Sequence, residues 1–208
     1  DLANDPIAAE RAARVALYNK DNIGALKAVN GWIKLDPKSA KARQIAVMLY
    51  VQSGDAEAAL RHLKLLVKLH ENGGQDEFAQ AMVAVASGKN NDLALKLMQS
   101  LAHDYKANAK ARYAVAMIAV MAKKLDVAES EAREAVRIAP GMEKAKILLS
   151  RIYVEKGEPT SAMSVMQQAL KLTPKSKDLH SAYARLLIDM NKPKLAYRQF
   201  QQLMKLTP

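Results

Sequence analysis

The sequence contains no cysteine, few aromatic residues and no long apolar run. Without cysteine the chain can form neither disulfides nor thiolate metal sites, although this absence does not fix its compartment. Aromatic residues make up only 5% of the chain, too few to indicate the stacking platforms on which single-stranded nucleic acids bind. The longest nearly apolar run, residues 113–122, has about half the length of a membrane-spanning helix. We therefore expect it to form a buried helix.

Basic residues outnumber acidic ones by 32 to 21, which gives a formal net charge of +11. Such a balance can indicate a nucleic acid, an anionic membrane surface or an acidic protein partner. The charge is spread along the chain and is lowest near its middle, which is typical of solvated helix faces. Nucleic-acid binding through phosphate contacts is therefore the less favoured alternative.

A small residue recurs at a nearly constant interval. Six alanines are separated by 34, 35, 34, 34 and 34 residues, namely Ala25, Ala59, Ala94, Ala128, Ala162 and Ala196. An interval of this size is typical of helical repeats, in which small residues let two helices approach closely. The sequence therefore predicts an all-α fold and one repeat domain over residues 1–208, with units at 6–39, 40–74, 75–108, 109–142, 143–176 and 177–208.

Proline, glycine and tryptophan predict further features of these units. Pro159 and Pro193 are expected at the start of second helices, where a missing N–H removes no hydrogen bond. Gly157 is expected to cap the preceding helix. The one extra residue in the repeat falls beside Gly73-Gly74, where we expect the stack to bend. Trp32, the only tryptophan, is expected to anchor the core rather than to bind a partner.

Units five and six carry the motif of a known family. The matching positions are Leu149-Ser150, Tyr153, Ala162, Met166, Ala169 and Pro174 in unit five, and Tyr183-Ala184, Leu187, Ala196, Phe200, Leu203 and Pro208 in unit six. At these positions the chain resembles tetratricopeptide repeat proteins. The resemblance implies twelve antiparallel helices in a right-handed superhelical solenoid, whose first helices line a concave groove. No capping helix follows Pro208, so we expect a longer repeat protein, with self-association as the alternative.

In that family the groove is lined by the fifth, ninth and twelfth residues of each unit. Carried onto this sequence, the predicted partner-binding groove consists of Arg14, Met48, Val51, Val83, Tyr113, Met117, Val120, Arg151 and Arg185, and Ile147, Val154 and Ile188 occupy further groove positions. The resulting floor is apolar and contains methionine, with arginines toward both ends, which suits a partner with varied apolar side chains. The alternative is that these residues pack against neighbouring helices and leave only a shallow groove.

A narrower resemblance lies in the first fifty residues. The segments ERAARVAL at 10–17, Trp32 with Leu35-Asp36-Pro37, and Ala42-Arg43-Gln44 are similar to outer-membrane tetratricopeptide lipoproteins of Gram-negative bacteria. This resemblance implies an adaptor that recruits a periplasmic carboxyl-terminal processing protease or its substrates. It also implies that a lipidated N-terminus, removed from this chain, anchors the adaptor in the membrane. It implies the periplasmic face of the cell envelope, with the cytoplasm left open as the other compartment. The alternative function is a structural module of a pilus or secretion complex that uses its convex face or its ends.

No motif for catalysis, metal binding or cofactor binding is present. The four histidines do not form a His-Glu-x-x-His motif, and neither a phosphate-binding loop nor a Gly-x-Ser-x-Gly elbow occurs. His62 and His70 are expected on one exposed side of a helix. The sequence thus predicts a non-catalytic scaffold that binds a protein or peptide and needs neither a cofactor nor a metal.

Overall fold

The computed structural model describes residues 5–70 and 76–206, except for the side chain of His70. Within these ranges the chain forms twelve α-helices and no strand. They are α1 (Pro6–Tyr18), α2 (Asn22–Leu35), α3 (Ala40–Ser53), α4 (Ala56–His70), α5 (Glu77–Ser87), α6 (Asn91–His103), α7 (Ala109–Met121), α8 (Leu125–Ile138), α9 (Glu143–Glu155), α10 (Pro159–Leu172), α11 (Lys177–Asp189) and α12 (Pro193–Leu206). Each predicted unit contains one helix pair, so the predicted all-α repeat fold is confirmed. None of the described helices is long and apolar enough to cross a bilayer.

Short polar side chains begin many of the helices. The carboxylate of Asp21 accepts a hydrogen bond from the Gly24 N–H at 2.8 Å, and the hydroxyl of Ser176 accepts one from the Leu179 N–H at 3.1 Å. Such caps satisfy N–H groups in the first helical turn that have no partner inside the helix. Pro159 and Pro193 are the first residues of α10 and α12, as predicted. The sequence therefore encodes the beginnings of these helices locally.

One residue in the turn of every helix pair has a left-handed backbone. The φ angles are positive at Lys20, Gly54, Lys89, Lys123, Gly157 and Asn191, and the spacing of these residues equals that of the six alanines. Gly157 was expected at such a position, because glycine adopts this conformation without a steric penalty. Three lysines were not expected there, since a Cβ in this conformation approaches the following carbonyl oxygen. The repeat geometry thus imposes the turn even where the local residue disfavours it.

The buried core includes the small residues of the second helices. All six spacing alanines are buried, with at most 2% of their surface exposed. Trp32 is also buried, which supports its predicted place in the core. Close helix approach at each alanine therefore recurs in every unit.

The contacts divide the chain into two compact units, Asp1–Lys106 and Ala107–Pro208. From here on, 'the first unit' and 'the second unit' mean these two halves, and the six repeats are called repeat units. In the first unit, α3 contacts α2, α4 and α5, and α4 contacts both α5 and α6. In the second unit, α9 contacts α7, α8, α10 and α11. Within each compact unit, each helix pair therefore packs on the next pair, as expected for tandem repeats. The single domain over residues 1–208 stays a prediction, and the bend expected at Gly73-Gly74 lies outside the described residues.

Candidate functional site

The predicted groove residues all lie on the first helices of their pairs. The first unit contains Arg14 on α1, Met48 and Val51 on α3, and Val83 on α5. The second unit contains Tyr113, Met117 and Val120 on α7, Arg151 on α9 and Arg185 on α11. The two sets are considered separately below.

In the first unit, Arg14 is already engaged by an acidic neighbour. Its guanidinium lies 2.6 Å from Glu10 Oε1, one helical turn earlier, and the ammonium of Lys41 lies 2.6 Å from the same oxygen. The hydrogen bond from Lys41 is the main cause that lowers the pKa of Glu10, and the charge of Arg14 adds to it. Arg14 is exposed, but its charge is partly balanced, so it offers less attraction for an acidic partner than its sequence position suggests.

The apolar residues of the first unit do not form one open floor. Val51 is fully buried against Gly88, at the end of α5, so the structure places it in the core and not on an accessible groove surface. Met48 is half-buried against the core of α2 and α3, whereas Val83 is 56% exposed. The reason for the burial of Val51 is that Gly88 has no side chain, which lets the end of α5 approach α3 closely.

In the second unit, the structure brings Arg151 and Arg185 together. They line one cleft of about 380 Å³ between α9 and α11. The other lining residues are Ile147, Ser150, Val154, Glu155, Ala182, Leu186, Ile188 and Asp189. Three of these, Ile147, Val154 and Ile188, occupy groove positions in the sequence prediction. We call this cavity the α9–α11 cleft.

The charged groups of the α9–α11 cleft are not used for internal pairing. Among the described residues, neither Arg151 nor Arg185 forms an ion pair, and neither do Glu155 and Asp189, although each acid lies four residues after an arginine. Both arginines and both acids are exposed. The cleft therefore presents free groups of both signs beside apolar walls, an arrangement suited to a polypeptide.

The remaining predicted residues of the second unit do not line this cleft. Tyr113, Met117 and Val120 are half-buried on α7, and α7 contacts α9. They are partly accessible but belong as much to the packing of α7 as to any open surface. Of the predicted groove residues in the second unit, only Arg151 and Arg185 line the α9–α11 cleft.

His62 corrects another prediction. Its ring is half-buried and stacks on Tyr50, with ring centroids 5.4 Å apart. Its Nδ1 is enclosed without a hydrogen-bond partner, and burial, reinforced by Arg43 and Arg61, lowers its pKa. The expected exposed position of His62 is therefore wrong, because α3 covers that side of α4. The same prediction for His70 stays a prediction, because its side chain lies outside the described part of the chain. No group of three His, Asp or Glu side chains within the described ranges could hold a metal.

The sequence prediction missed a second cleft in the second unit. It also measures about 380 Å³ and is lined by Arg133, Val136, Arg137, Pro140, Lys146, Leu149, Tyr153, Val165, Gln168, Ala169 and Leu172, from α8, α9, α10 and the turn after α8. We call it the Lys146 cleft. Reasoning from groove positions could not find it, because most of its residues lie on second helices. The available signal was Lys146, a basic residue among apolar ones on the packed side of α9.

Comparisons with known proteins support the fold. A MamA structure, the RS-1 ArsTM double mutant, is 23% identical with a TM-score of 0.53, and the match covers 80% of this chain and 93% of that chain. The Cut9–Hcn1 hetero-tetramer of APC/C is 14% identical with a TM-score of 0.52, covering 99% of this chain and 40% of that chain. YrrB, described as a tetratricopeptide protein with an unusual peptide-binding site, is 20% identical with a TM-score of 0.46, covering 82% of this chain and 88% of that chain. At these identities, MamA and Cut9 show a shared fold only. No curated protein matches the chain in sequence.

Two family models for the tetratricopeptide repeat match the sequence itself. One covers residues 78–143 and the other residues 153–208, together more than half of the chain. The matched ranges contain most of α5 and all of α6, α7, α8, α10, α11 and α12, whereas most of α9 lies between the two ranges. Proteins of this family are generally interaction modules without catalytic activity. This chain belongs to the tetratricopeptide repeat family.

Proposed function

We propose that this protein is a non-catalytic adaptor that binds a polypeptide segment in the α9–α11 cleft. One observation carries the proposal: Arg151 and Arg185 lie in one cleft, exposed and without internal ion pairs, next to the apolar side chains of Ile147, Val154 and Ile188. Arginine can bind a carboxylate through two parallel hydrogen bonds, which gives direction as well as attraction. A partner segment with acidic and apolar side chains fits this surface.

The acidic residues of the cleft determine which charges a partner segment should carry. Glu155 and Asp189 line the same cleft as the two arginines, so its charges are balanced in number. A purely acidic segment would meet repulsion at these two carboxylates, whereas a segment of mixed charge can pair with both signs. The complementarity therefore supports specificity and orientation more than affinity.

The narrower form of the proposal concerns the partner's identity. The similarity of residues 10–17, Trp32, 35–37 and 42–44 to outer-membrane lipoproteins supports a role in recruiting a periplasmic carboxyl-terminal processing protease or its substrates. It also supports the periplasmic face of the bacterial envelope as the place of action. This narrower form is tested by the identity of the protein captured in the experiment below.

The test is crosslinking capture from a cell-envelope extract with wild-type protein and a charge-reversed variant. Arg151→Glu combined with Arg185→Glu should abolish partner capture, because the partner's carboxylates would meet two added negative charges. The matched control combines Lys171→Glu with Lys194→Glu, which changes two exposed basic residues of α10 and α12 outside the cleft and adds the same charge. Circular dichroism should show equal helicity in both variants. Equal capture by both folded variants would refute binding in this cleft, and capture of a protein other than a protease or its substrate would refute only the narrower form.

One observation favours the assembly module as a second candidate. On α12, Tyr197 and Met204 are 61% and 62% exposed, and Phe200 lies between them at 37%. An exposed apolar surface of this kind can mediate protein contacts. Light scattering over a range of concentrations distinguishes this role: association that disappears in Tyr197→Glu with Met204→Glu supports it, and a monomer at every concentration contradicts self-assembly through α12.

A further inference from the structure

A second binding site is indicated by a buried lysine without a partner. Lys146 on α9 is only 6% exposed, and it lines the Lys146 cleft. Within the described residues its ammonium forms no hydrogen bond or ion pair, and it is not among the enclosed polar atoms that lack a partner. Its aliphatic stem is therefore buried while the ammonium reaches the solvent of the cleft. The positive charge is therefore held at a fixed place in the cleft wall and is accessible to a ligand that enters the cleft.

The repeat supplies an internal comparison for Lys146. Equivalent positions in neighbouring repeat units lie 34 or 35 residues apart. Counted in these steps from Lys146, the equivalent positions of three other repeat units hold Arg43, Arg112 and His180. Arg43 donates to the Pro37 carbonyl oxygen at 2.7 Å, and Arg112 lies 3.1 Å from Glu131 Oε2. His180 contacts Gln199 Oε1 at 2.8 Å and the Pro174 carbonyl oxygen at 3.0 Å. Each of the three other basic side chains thus has an acceptor within the protein, with only the buried Nε of Arg43 left without one, whereas Lys146 has no acceptor at all among the described residues.

The other charged groups of the cleft set the charge of the ligand. Arg133 lies 2.8 Å from Glu129 and also 5.5 Å above the ring of Tyr153. Arg137 donates two hydrogen bonds of 2.7 Å to Glu134. Since each arginine already has a carboxylate, one positive charge remains unbalanced, that of Lys146. A single carboxylate matches this site better than a polyanion such as nucleic acid.

Apolar side chains form the rest of the wall. Leu149 and Val165 flank the cleft, and Leu172 is 67% exposed at its edge. A ligand that fits must therefore combine one carboxylate with an apolar group next to it. In a protein that belongs to a family of interaction modules, an acidic side chain beside a leucine-like residue in a partner chain supplies this combination.

We propose that the Lys146 cleft is a second docking site, which binds an acidic side chain of a partner polypeptide through the Lys146 ammonium and an adjacent apolar side chain through Leu149, Val165 and Leu172. This site is separate from the α9–α11 cleft, because α9 presents Lys146, Leu149 and Tyr153 to one cleft and Ile147, Arg151 and Val154 to the other. Two segments of one partner, or two partners, could then be held by opposite sides of one helix.

The test uses two matched probes, acetyl-Leu-Glu-Leu-amide and acetyl-Leu-Gln-Leu-amide, which differ only in the carboxylate. They are titrated into the full chain, and methyl NMR follows Leu149, Val165 and Leu172 for the Lys146 cleft and Ile147 and Ile188 for the other cleft. We expect the Glu probe to shift the first set and to bind about tenfold more tightly than the Gln probe, as a charge-assisted hydrogen bond requires. Equal affinity of the two probes, or shifts confined to Ile147 and Ile188, would overturn the proposal.

A pair of variants tests the contribution of the Lys146 ammonium to binding. Lys146→Met keeps an unbranched apolar stem and removes the charge, so it should remain folded and lose the preference for the Glu probe. Lys144→Met removes an exposed charge from the same helix and should keep the preference. A preference that survives in Lys146→Met would contradict the role of the ammonium. An octanoate titration is the third arm: shifts of the same methyl groups by octanoate, without any by the Glu probe, would show a site for a small amphiphile and not for a polypeptide.

Discussion

The contact between Gly88 and Val51 gives the sharpest test of the packing in the first unit. A Cβ added at Gly88 would overlap the Val51 side chain and lie 2.9 Å from the Met48 carbonyl oxygen. The backbone of Gly88 is in the ordinary right-handed helical region, so alanine adds crowding without backbone strain. We expect Gly88→Ala to lower the free energy of unfolding by about 1–3 kcal/mol, the usual cost of overpacking.

A double-mutant cycle tests the cause. Val51→Ala alone should cost about 1.6 kcal/mol for two buried methyl groups, before any cavity term. It should also make room for the new Cβ, so the double variant should be more stable than the sum of the single effects by about 1 kcal/mol or more. Relief should be incomplete, because the Met48 carbonyl oxygen remains in place.

Urea denaturation followed by circular dichroism measures all four proteins. Gly31→Ala is the matched control, since a Cβ at this helical glycine would meet no atom within 4 Å beyond the backbone of its own helix and its chain neighbours. We expect Gly31→Ala to be stabilising by about 0.5–1 kcal/mol through the lower flexibility of alanine. Strict additivity in the cycle, or a Gly88→Ala protein as stable as wild type, would refute the close approach of α5 to α3.

Three further measurements test other features. Lys123→Gly should stabilise the protein by about 0.5–1 kcal/mol in urea denaturation, because glycine has no Cβ to strain the left-handed turn; a loss of stability would contradict that conformation. His62 has a lowered pKa when folded, so its contribution to stability is complete above the unfolded value of about 6.5 and decreases as the pH falls below it. His62→Phe, which preserves the stack on Tyr50, should therefore weaken the decline in stability between pH 7 and pH 5, and an unchanged decline would exclude His62 as its cause. Trp32→Ala should cost about 3–5 kcal/mol if Trp32 anchors the core, and a cost below about 1 kcal/mol would contradict this.

The fold could be predicted because its signals are short-range and repeated. The six alanines define the repeat units, and Pro159 and Pro193 mark helix starts where the structure places them. Each of these signals depends on helix geometry within one repeat unit, which the order of residues specifies directly. The resemblance to tetratricopeptide repeat proteins depends on more than the period, because it rests on the motif residues of units five and six.

The candidate site was less predictable, because it depends on which side chains meet between helices. Arg151 and Arg185, which both occupy the ninth place of adjacent repeat units, line one cleft in the structure. The rule of groove positions also placed Val51 in the groove, yet the absence of a side chain at Gly88, 37 residues later, lets α5 cover it. A rule based on position within a repeat unit contains no information about the neighbouring repeat unit's side chains.

The sequence by itself determined the period, the helix pairs and the small residues at the helix crossings. Only the tertiary structure decided which charges are already paired: Glu10 engages Arg14, whereas Arg151 and Arg185 remain unpaired. It also decided that Lys146 is buried without an acceptor, although Arg43, Arg112 and His180 at equivalent positions have one. The physical reason is that periodicity fixes the direction of a side chain on its own helix, whereas its partner comes from the turn or helix packed against it.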